Sequence, residues 1–297
     1  MRWLFLLVVP VIACSRGRAH DSPVDTATVT AASRPDSAPS RIGWRLPDSV
    51  DRYLTVFDSI ADRAQAVVQA RAKTPAADSA FAHFSRYYYA LEDTITQEID
   101  NDRRAGDLAI NSDLSDTLTG VLRRHGFDLN FSEGNAFADE GPGYLIRKFG
   151  PYVTNAMRDY LAIRTTEQQT RFSEDAGLRI PWDSIAERIV IWDAFLDRHS
   201  TFLWRYEATY WRDMYLETYL TGMDNSRTFT DSGTLDPDVR ASYQTFLRRH
   251  PDTPSAEVVR EYWSLLHASG FRSDSSVDGF LKKHKLHSML GVQPPTN

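Results

Sequence analysis

Prolines at the beginnings of amphipathic stretches constrain this chain more than any other feature. Proline has no amide hydrogen and a fixed φ, so a helix tolerates it at its first position. Six dipeptides precede or open stretches with helical periodicity: Leu46-Pro47, Thr74-Pro75, Gly150-Pro151, Ile180-Pro181, Asp236-Pro237 and Thr253-Pro254. The side chains of Thr74, Asp236 and Thr253 can also cap the helices that follow. The sequence therefore predicts a succession of separate helices.

Apolar residues recur three and four positions apart after these prolines, as they do on the buried face of a helix. Glycine commonly ends a helix, and Gly126, Gly222 and Gly270 follow three of these stretches. The pattern predicts about nine to ten helices, near 48–73, 75–101, 107–125, 144–149, 151–172, 182–196, 202–221, 237–250, 254–269 and 277–290. We therefore predict a mostly α-helical fold, either a multi-helix bundle or an irregular α-solenoid.

One segment departs from the helical pattern. Phe127, Leu129 and Phe131 alternate with polar residues, and turn-forming residues follow at 132–135, which predicts a small β-hairpin near 127–138. We divide the folded part into an N-terminal helical bundle at 42–126, a hairpin and loop excursion at 127–150, and a C-terminal helical, repeat-like part at 151–290. The first and last of these are expected to form one continuous domain.

The chain begins with a pattern typical of a targeting segment. Arg2 precedes the apolar run Trp3–Val9, which is too short to cross a membrane because spanning takes about 20 residues. The only cysteine of the chain, Cys14, ends the sequence Val-Ile-Ala-Cys. Residues 15–40 include no aromatic residue and cannot bury enough apolar surface to order themselves. We predict a signal peptide at 1–13 and a disordered tether at 14–41.

The four residues that end at Cys14 resemble the lipobox of bacterial lipoproteins. The resemblance implies that the Cys14 thiol receives diacylglycerol, that residues 1–13 are removed, and that fatty acids such as palmitate hold the protein in a membrane. Because Ser15 follows instead of aspartate, the resemblance favours a cell-envelope location in the outer membrane, facing the periplasm. Two other interpretations stay open: an ordinary secretory signal that ends near a cysteine, and a cysteine buried in an uncleaved helix.

Charge and motifs narrow the possible partners. The formal net charge is −6, which argues against a nucleic-acid role because that role favours a basic face. The sequence contains neither H-E-x-x-H nor G-x-S-x-G, and it has no phosphate-binding glycine loop. We therefore expect no metal, no cofactor and no nucleic-acid partner.

A short internal repeat suggests a second resemblance. Phe195–His199 (Phe-Leu-Asp-Arg-His) recurs as Phe246–His250 (Phe-Leu-Arg-Arg-His), 51 residues later, and each copy precedes a turn and a new helix. The segment Tyr243–Gly270 resembles the junction between helix pairs in tetratricopeptide-like repeats of envelope lipoproteins. The spacing departs from the 34 residues of that family, and bulky residues replace its small ones. The resemblance implies stacked helix pairs that bind a protein or glycan partner.

Acidic residues in the irregular segments give the best catalytic hypothesis. Glu133, Asp139, Glu140, Glu174 and Asp175 belong to predicted turns and loops. If the helices brought two of these carboxylates together, they could act as the acid and base of a glycan or peptidoglycan hydrolase. Such residues are also ordinary helix caps and solubilising groups. We therefore expect binding rather than catalysis, with an envelope enzyme as the alternative.

Aromatic residues crowd two consecutive predicted helices. Trp204, Trp211 and Tyr215 are among more aromatic side chains than one buried stripe requires. They could form a platform for a sugar or an apolar partner, and we treat these three as ligand-binding candidates. The alternative is that the second of these helices is central in the fold and buried on all sides.

Overall fold

Helices form most of the chain in the computed structural model, which describes residues 48–102, 105–132 and 134–284. This confirms the predicted mostly α-helical fold. The helices are α1 (Asp48–Gln69), α2 (Pro75–Asn101), α3 (Ala105–Ile110), α4 (Ser112–Arg124), α5 (Tyr144–Phe149), α6 (Asn155–Gln169), α7 (Trp182–Arg198), α8 (Arg205–Thr221), α9 (Pro237–Arg249), α10 (Pro254–Ala268) and α11 (Ser275–Lys283). None of the helices in the described ranges is long and apolar enough to span a membrane. Cys14, the signal peptide and the tether lie outside the described residues.

Most of the proline-marked helix starts are confirmed. Helices begin at Pro75, Pro237 and Pro254, and α7 begins directly after Pro181. Asp236 accepts hydrogen bonds from the backbone of Asp238 (2.8 Å) and Val239 (3.4 Å). The Thr253 hydroxyl accepts one from Ala256 at 3.3 Å. The predicted cap at Thr74 is wrong, because that hydroxyl donates to the Arg71 carbonyl oxygen instead.

Two predicted helix boundaries are corrected. The helix expected at 107–125 is two helices, because Asn111 adopts an extended conformation and its side chain caps α4, which begins at Ser112, by accepting a hydrogen bond from Leu114 N. The helix expected from Pro151 begins at Asn155. There Thr154 is the capping residue, and its backbone N and hydroxyl donate to the two carboxylate oxygens of Asp78 at 2.9 and 2.6 Å. A side chain of α2 therefore fixes the start of α6.

Within the described residues, antiparallel hairpins interrupt the helices at three places. β1 (Phe127–Ser132) pairs with β2 (Asn135–Glu140) in a register that places Phe127 opposite Glu140, which confirms the predicted hairpin. Two shorter hairpins fall in segments that we predicted as loops. They are β3 (Ser173–Glu174) with β4 (Gly177–Leu178), and β5 (Gly222–Met223) with β6 (Ser226–Arg227). The tips of these two hairpins touch, because Asn225 N donates to the Ala176 carbonyl oxygen at 2.9 Å.

Buried apolar side chains from α1 to α11 form a single core cluster. In its C-terminal part, aromatic contacts connect successive helices. Tyr219 of α8 lies 4.9 Å from Tyr243 of α9, Tyr243 lies 6.1 Å from Tyr262 of α10, and Tyr262 lies 5.0 Å from Phe280 of α11, between ring centroids. Each of these side chains is almost fully buried. The helices from α8 to α11 are thus packed in sequence order.

The internal repeat has more copies than the sequence analysis recognised. Four helices end in related pentapeptides, with histidine as the C-cap residue: 121–125 (α4), 195–199 (α7), 246–250 (α9) and 280–284 (α11). The last copy, Phe-Leu-Lys-Lys-His, begins 34 residues after the Phe246 copy. In the last three copies the phenylalanine ring contacts the histidine ring, at centroid distances of 4.8, 5.8 and 4.4 Å. These are four versions of one helix ending.

Each of these histidines reaches a carboxylate on an earlier helix, an arrangement that we call a helix-end clamp. The four N···O distances are His125–Asp58 2.9 Å, His199–Asp159 3.1 Å, His250–Glu187 3.5 Å and His284–Glu261 2.9 Å. In the last three, a neighbouring base approaches the same carboxylate: Arg198 at 3.7 Å, Arg249 at 3.8 Å and Lys283 at 2.5 Å. Basic groups are also favourable at helix C-termini. The repeated pentapeptide therefore ties helices together.

Candidate functional site

Asp139 and Glu140, at the end of β2, lie in a buried polar network between α2, β2 and α6. The Asp139 carboxylate accepts hydrogen bonds from Arg171 Nη2 at 2.7 Å, from Asn130 Nδ2 at 3.0 Å and from the Glu140 backbone at 2.8 Å. Both acidic side chains are buried, whereas Arg171 is partly exposed. The predicted loop carboxylate Asp139 is therefore a strand residue with several donors.

Glu140 connects this strand to two helices. Its Oε2 accepts hydrogen bonds from the Tyr89 hydroxyl of α2 at 3.1 Å and from Gln168 Nε2 of α6 at 3.0 Å. Burial raises the pKa of the adjacent Tyr88 well above its ordinary value, and the charges of Glu140 and Glu92 raise it further. The Tyr88 hydroxyl donates to the carbonyl oxygen of Gly126 and accepts from Gly141 N at 3.3 Å. A neutral tyrosine thus holds the base of the hairpin.

A second part of the network lies between α6, α7 and α8. Arg164 Nη1 donates to Glu167 Oε2 at 2.6 Å, and the other oxygen of Glu167 accepts from the fully buried Trp192 Nε1 at 2.7 Å. The Arg164 guanidinium also lies 3.5 Å from the centre of the Trp211 ring. A desolvated cation over the face of a tryptophan is favourable by about 2 kcal/mol. Glu167 therefore binds one group of α6 and one of α7, and Arg164 extends these contacts to Trp211 of α8.

Glu174 and Asp175 occupy the tip of the β3–β4 hairpin. Both are exposed, and Glu174 Oε2 accepts from Arg179 Nη1 at 2.6 Å. Asp175 and Ala176 have φ values of 47° and 54°, a left-handed conformation that suits a tight hairpin turn. Glu133 lies outside the described residues. Asp139 and Glu174 are thus held by different arginines in different surroundings, and their catalytic role stays a prediction.

The three aromatic ligand candidates have different surroundings. Tyr215 is buried, and its hydroxyl accepts a hydrogen bond from Arg188 Nη1 at 2.9 Å. Burial is also the main reason that its pKa is raised. Trp211 is partly exposed beneath Arg164. Trp204 is partly exposed and packs against Phe81 and Tyr160, at centroid distances of 5.7 and 5.4 Å. Tyr215 therefore belongs to the core, and the platform hypothesis narrows to Trp204 and Trp211.

Trp204 lies in the turn between α7 and α8, and two exposed apolar side chains lie close to it in the sequence. Leu203 is 47% exposed and Tyr206 is 62% exposed. Arg205 Nη1 donates to the Leu196 carbonyl oxygen at 2.6 Å, so the turn is tied back to the end of α7. We call the segment from Leu203 to Tyr206 the α7–α8 corner. Tyr206 is one of the aromatic side chains that crowd the two predicted helices, whereas Leu203, the residue directly before Trp204, is not marked by that pattern.

Within the described ranges, no group of three or more histidine, cysteine, aspartate or glutamate residues is placed to hold a metal ion. An open depression of about 340 Å³ lies where α3 meets α4, and it contains none of the predicted site residues. Its lining residues are Asp107, Ile110, Asn111, Ser112, Asp113 and Leu114.

Comparisons with known proteins give no family for this chain. No protein-family model matches it, no curated protein matches it, and no solved structure matches it.

Proposed function

We propose that this chain is a lipid-anchored bacterial envelope protein whose helical domain acts as a scaffold that binds a protein partner. The lipobox-like sequence ending at Cys14 and the polar tether behind it support the membrane attachment. The helix-end clamps support the scaffold, since they join helices of the folded part through repeated, similar contacts. Such a stack offers a rigid surface to a partner.

The exposed apolar residues of the α7–α8 corner are the main support for the binding proposal. Leucine and tyrosine side chains exposed within three residues of each other are costly to leave in water and are favourable to bury in an interface. Trp204 packs inward on Phe81 and Tyr160, so the corner rests on the core. An anchored aromatic group beside exposed tyrosine is typical of the energetic centre of a protein interface. The corner therefore favours a protein partner over a glycan.

The first prediction concerns capture of that partner. A photo-activated crosslinking residue replaces Tyr206 in the acylated protein, and native membranes are irradiated. We expect a defined adduct, and Leu203→Ser should weaken it at least tenfold, since loss of an interface anchor costs about 1–2 kcal/mol or more. Val67→Ser is the matched control, because Val67 is another exposed aliphatic residue, on α1. Equal loss with both substitutions, or an adduct that is a glycan, would contradict the proposal.

The same assay separates the scaffold from the hydrolase alternative. Glu174→Gln removes the exposed carboxylate that Arg179 contacts, and we expect the crosslinked adduct to persist at wild-type yield. A hydrolase that used Glu174 as its acid or base would lose turnover on peptidoglycan by a factor of about 10² to 10⁴. Turnover by the wild-type protein that disappears in this variant would replace the scaffold proposal with the enzymatic one.

The second prediction concerns the anchor. Cells that express the full chain and receive an alkyne analogue of palmitate should label it, and Cys14→Ser should abolish the label, because the chain has no other cysteine. The variant should also leave the membrane fraction, since several acyl chains account for the attachment. Equal labelling of the wild type and Cys14→Ser would show that the lipobox assignment is wrong.

A further inference from the structure

Phe271 has a backbone conformation that aromatic residues rarely adopt. Its φ is 60°, in the left-handed region, and it follows Gly270, which has a φ of 66° and ends α10 in the usual way. A bulky residue is strained in this region, and such strain persists only where surrounding contacts maintain it. Here Phe271 N donates to the Leu266 carbonyl oxygen at 2.6 Å, and the Phe271 carbonyl oxygen accepts from Leu235 N at 2.8 Å. The chain therefore holds the Phe271 ring in a fixed place.

The Phe271 ring supports an arginine of the neighbouring helix. Arg240 Cζ of α9 lies 3.7 Å from the centre of the ring, a separation at which a planar guanidinium stacks on an aromatic face. Trp263 and His267 of α10 lie beside the same ring, at centroid distances of 5.1 and 5.7 Å. Trp263 and Phe271 are partly buried, whereas Arg240 and His267 are exposed. We call these four residues the Arg240 site.

The positive charge at the Arg240 site is not neutralised by a carboxylate of the described residues. Neither Arg240 nor Arg272 forms an ion pair within that part of the chain. Asp236 and Asp274, on either side of the two arginines in the sequence, cap α9 and α11 instead. Asp238 lies two residues before Arg240 and therefore on a different face of α9. Stacking occupies the face of the Arg240 guanidinium and leaves the N–H groups at its edge available to an anion.

We propose that the Arg240 site binds an acidic segment of a protein partner, in which a carboxylate side chain lies next to an apolar one. The carboxylate accepts two parallel hydrogen bonds from the edge of the guanidinium, to which the planar arginine fork is suited. The apolar side chain covers the exposed parts of Trp263 and Phe271. Because the strained Phe271 holds the guanidinium in place before the ligand arrives, binding costs less conformational entropy.

The composition of the site favours a carboxylate over a phosphate group. A phosphate carries more than one negative charge and three acceptor oxygens, which several donors normally satisfy together. The contacts at Phe271 instead combine one stacked guanidinium with the aromatic rings of Trp263 and His267. The site includes no residue of the α7–α8 corner, so this proposal does not depend on the binding proposed for that corner.

Peptide titration tests the site in the full chain carrying Cys14→Ser, so that the result is independent of the lipid anchor. The acidic probe is acetyl-Gly-Asp-Phe-Asp-Gly-amide, and the neutral probe is acetyl-Gly-Asn-Phe-Asn-Gly-amide. The NMR signals of the arginine Nε–Hε groups report binding, and the signal that Arg240→Gln removes is that of Arg240. We expect the acidic peptide to shift this signal and to bind at least tenfold more tightly than the neutral one.

Arg248→Gln is the matched control, because Arg248 is another exposed arginine of α9. Binding of the acidic peptide, followed through the peptide signals, should weaken at least tenfold in Arg240→Gln and stay unchanged in Arg248→Gln. An unshifted Arg240 signal, or equal binding of the two peptides, would overturn the proposal. Inorganic phosphate that binds the Arg240 site more tightly than the acidic peptide would also overturn it, and the site would then belong to a phosphate-bearing ligand.

Two further variants test whether the ring positions the arginine. Phe271→Gly removes the ring but suits a φ of 60°, so the circular dichroism spectrum should be unchanged while the acidic peptide binds at least tenfold more weakly. Arg240→Lys keeps the charge but lacks the planar group that stacks, and a similar loss is expected. Binding at the wild-type level in both variants would show that Phe271 does not position Arg240, and the proposal would be wrong.

Discussion

Replacing Glu167 by alanine is expected to destabilise the domain by about 3–5 kcal/mol, the cost of removing one partner of a buried ion pair. The substitution removes the acceptor of the fully buried Trp192 indole N–H. It also leaves the Arg164 guanidinium in the core with one carboxylate fewer. Chemical denaturation followed by circular dichroism measures the free energy of unfolding, and the tryptophan fluorescence should change with it.

Glu174→Ala is the matched control for this prediction. The Arg179–Glu174 and Arg164–Glu167 pairs have the same N···O distance of 2.6 Å, but their carboxylate side chains are 45% and 6% exposed. An exposed pair contributes about 0–1 kcal/mol, so the control should be close to the wild type. If the two variants lose the same stability, burial of the network is not what makes Glu167 important.

Alkaline pH is expected to unfold the domain cooperatively between about pH 10 and 11. Burial is the largest cause of the raised pKa of five core tyrosines: Tyr88, Tyr160, Tyr215, Tyr219 and Tyr243. The folded state therefore keeps phenolic protons that the unfolded chain releases above pH 10. The contribution of these buried phenols to folding stability is complete below pH 10. It is lost as the pH rises above 10. By pH 11 these five groups together lower the free energy of unfolding by about 7 kcal/mol. That loss is comparable to the total stability of a domain.

Absorbance of tyrosinate near 295 nm and circular dichroism at 222 nm should change together in this titration. Tyr243→Phe should reduce the number of protons released in the transition by about one, because it removes one buried phenol. Ionisation of all tyrosines around pH 10 with an unchanged helical signal would contradict the prediction, because it would mean that these side chains are in contact with water.

The features that were predicted best from the sequence are those that depend only on neighbouring residues. Pro75, Pro237 and Pro254 open helices because the conformation of proline is local, and the β1–β2 hairpin followed from the alternation around Leu129. The division of the third predicted helix at Asn111 was missed because asparagine is also tolerated within a helix. A local pattern thus identifies an element more reliably than its exact ends.

The polar network could not be predicted, because its members are far apart in the sequence. Glu167 lies among polar residues at the end of α6 and has the pattern of an exposed glutamate, yet Trp192 buries it. The additional helix-end clamps could have been predicted from the sequence. A search for a hydrophobic pair followed by any residue, a base and histidine identifies His125 and His284 as well as the two copies that we recognised.

The four clamps share a direction along the chain. Each histidine lies within 3.5 Å of a carboxylate that precedes it, by 67, 40, 63 and 23 residues in turn. A ribosome makes the amino terminus first, and the carboxylate partner of every clamp is therefore synthesised before the histidine that closes it. Assembly of the helices can follow translation without waiting for a distant segment.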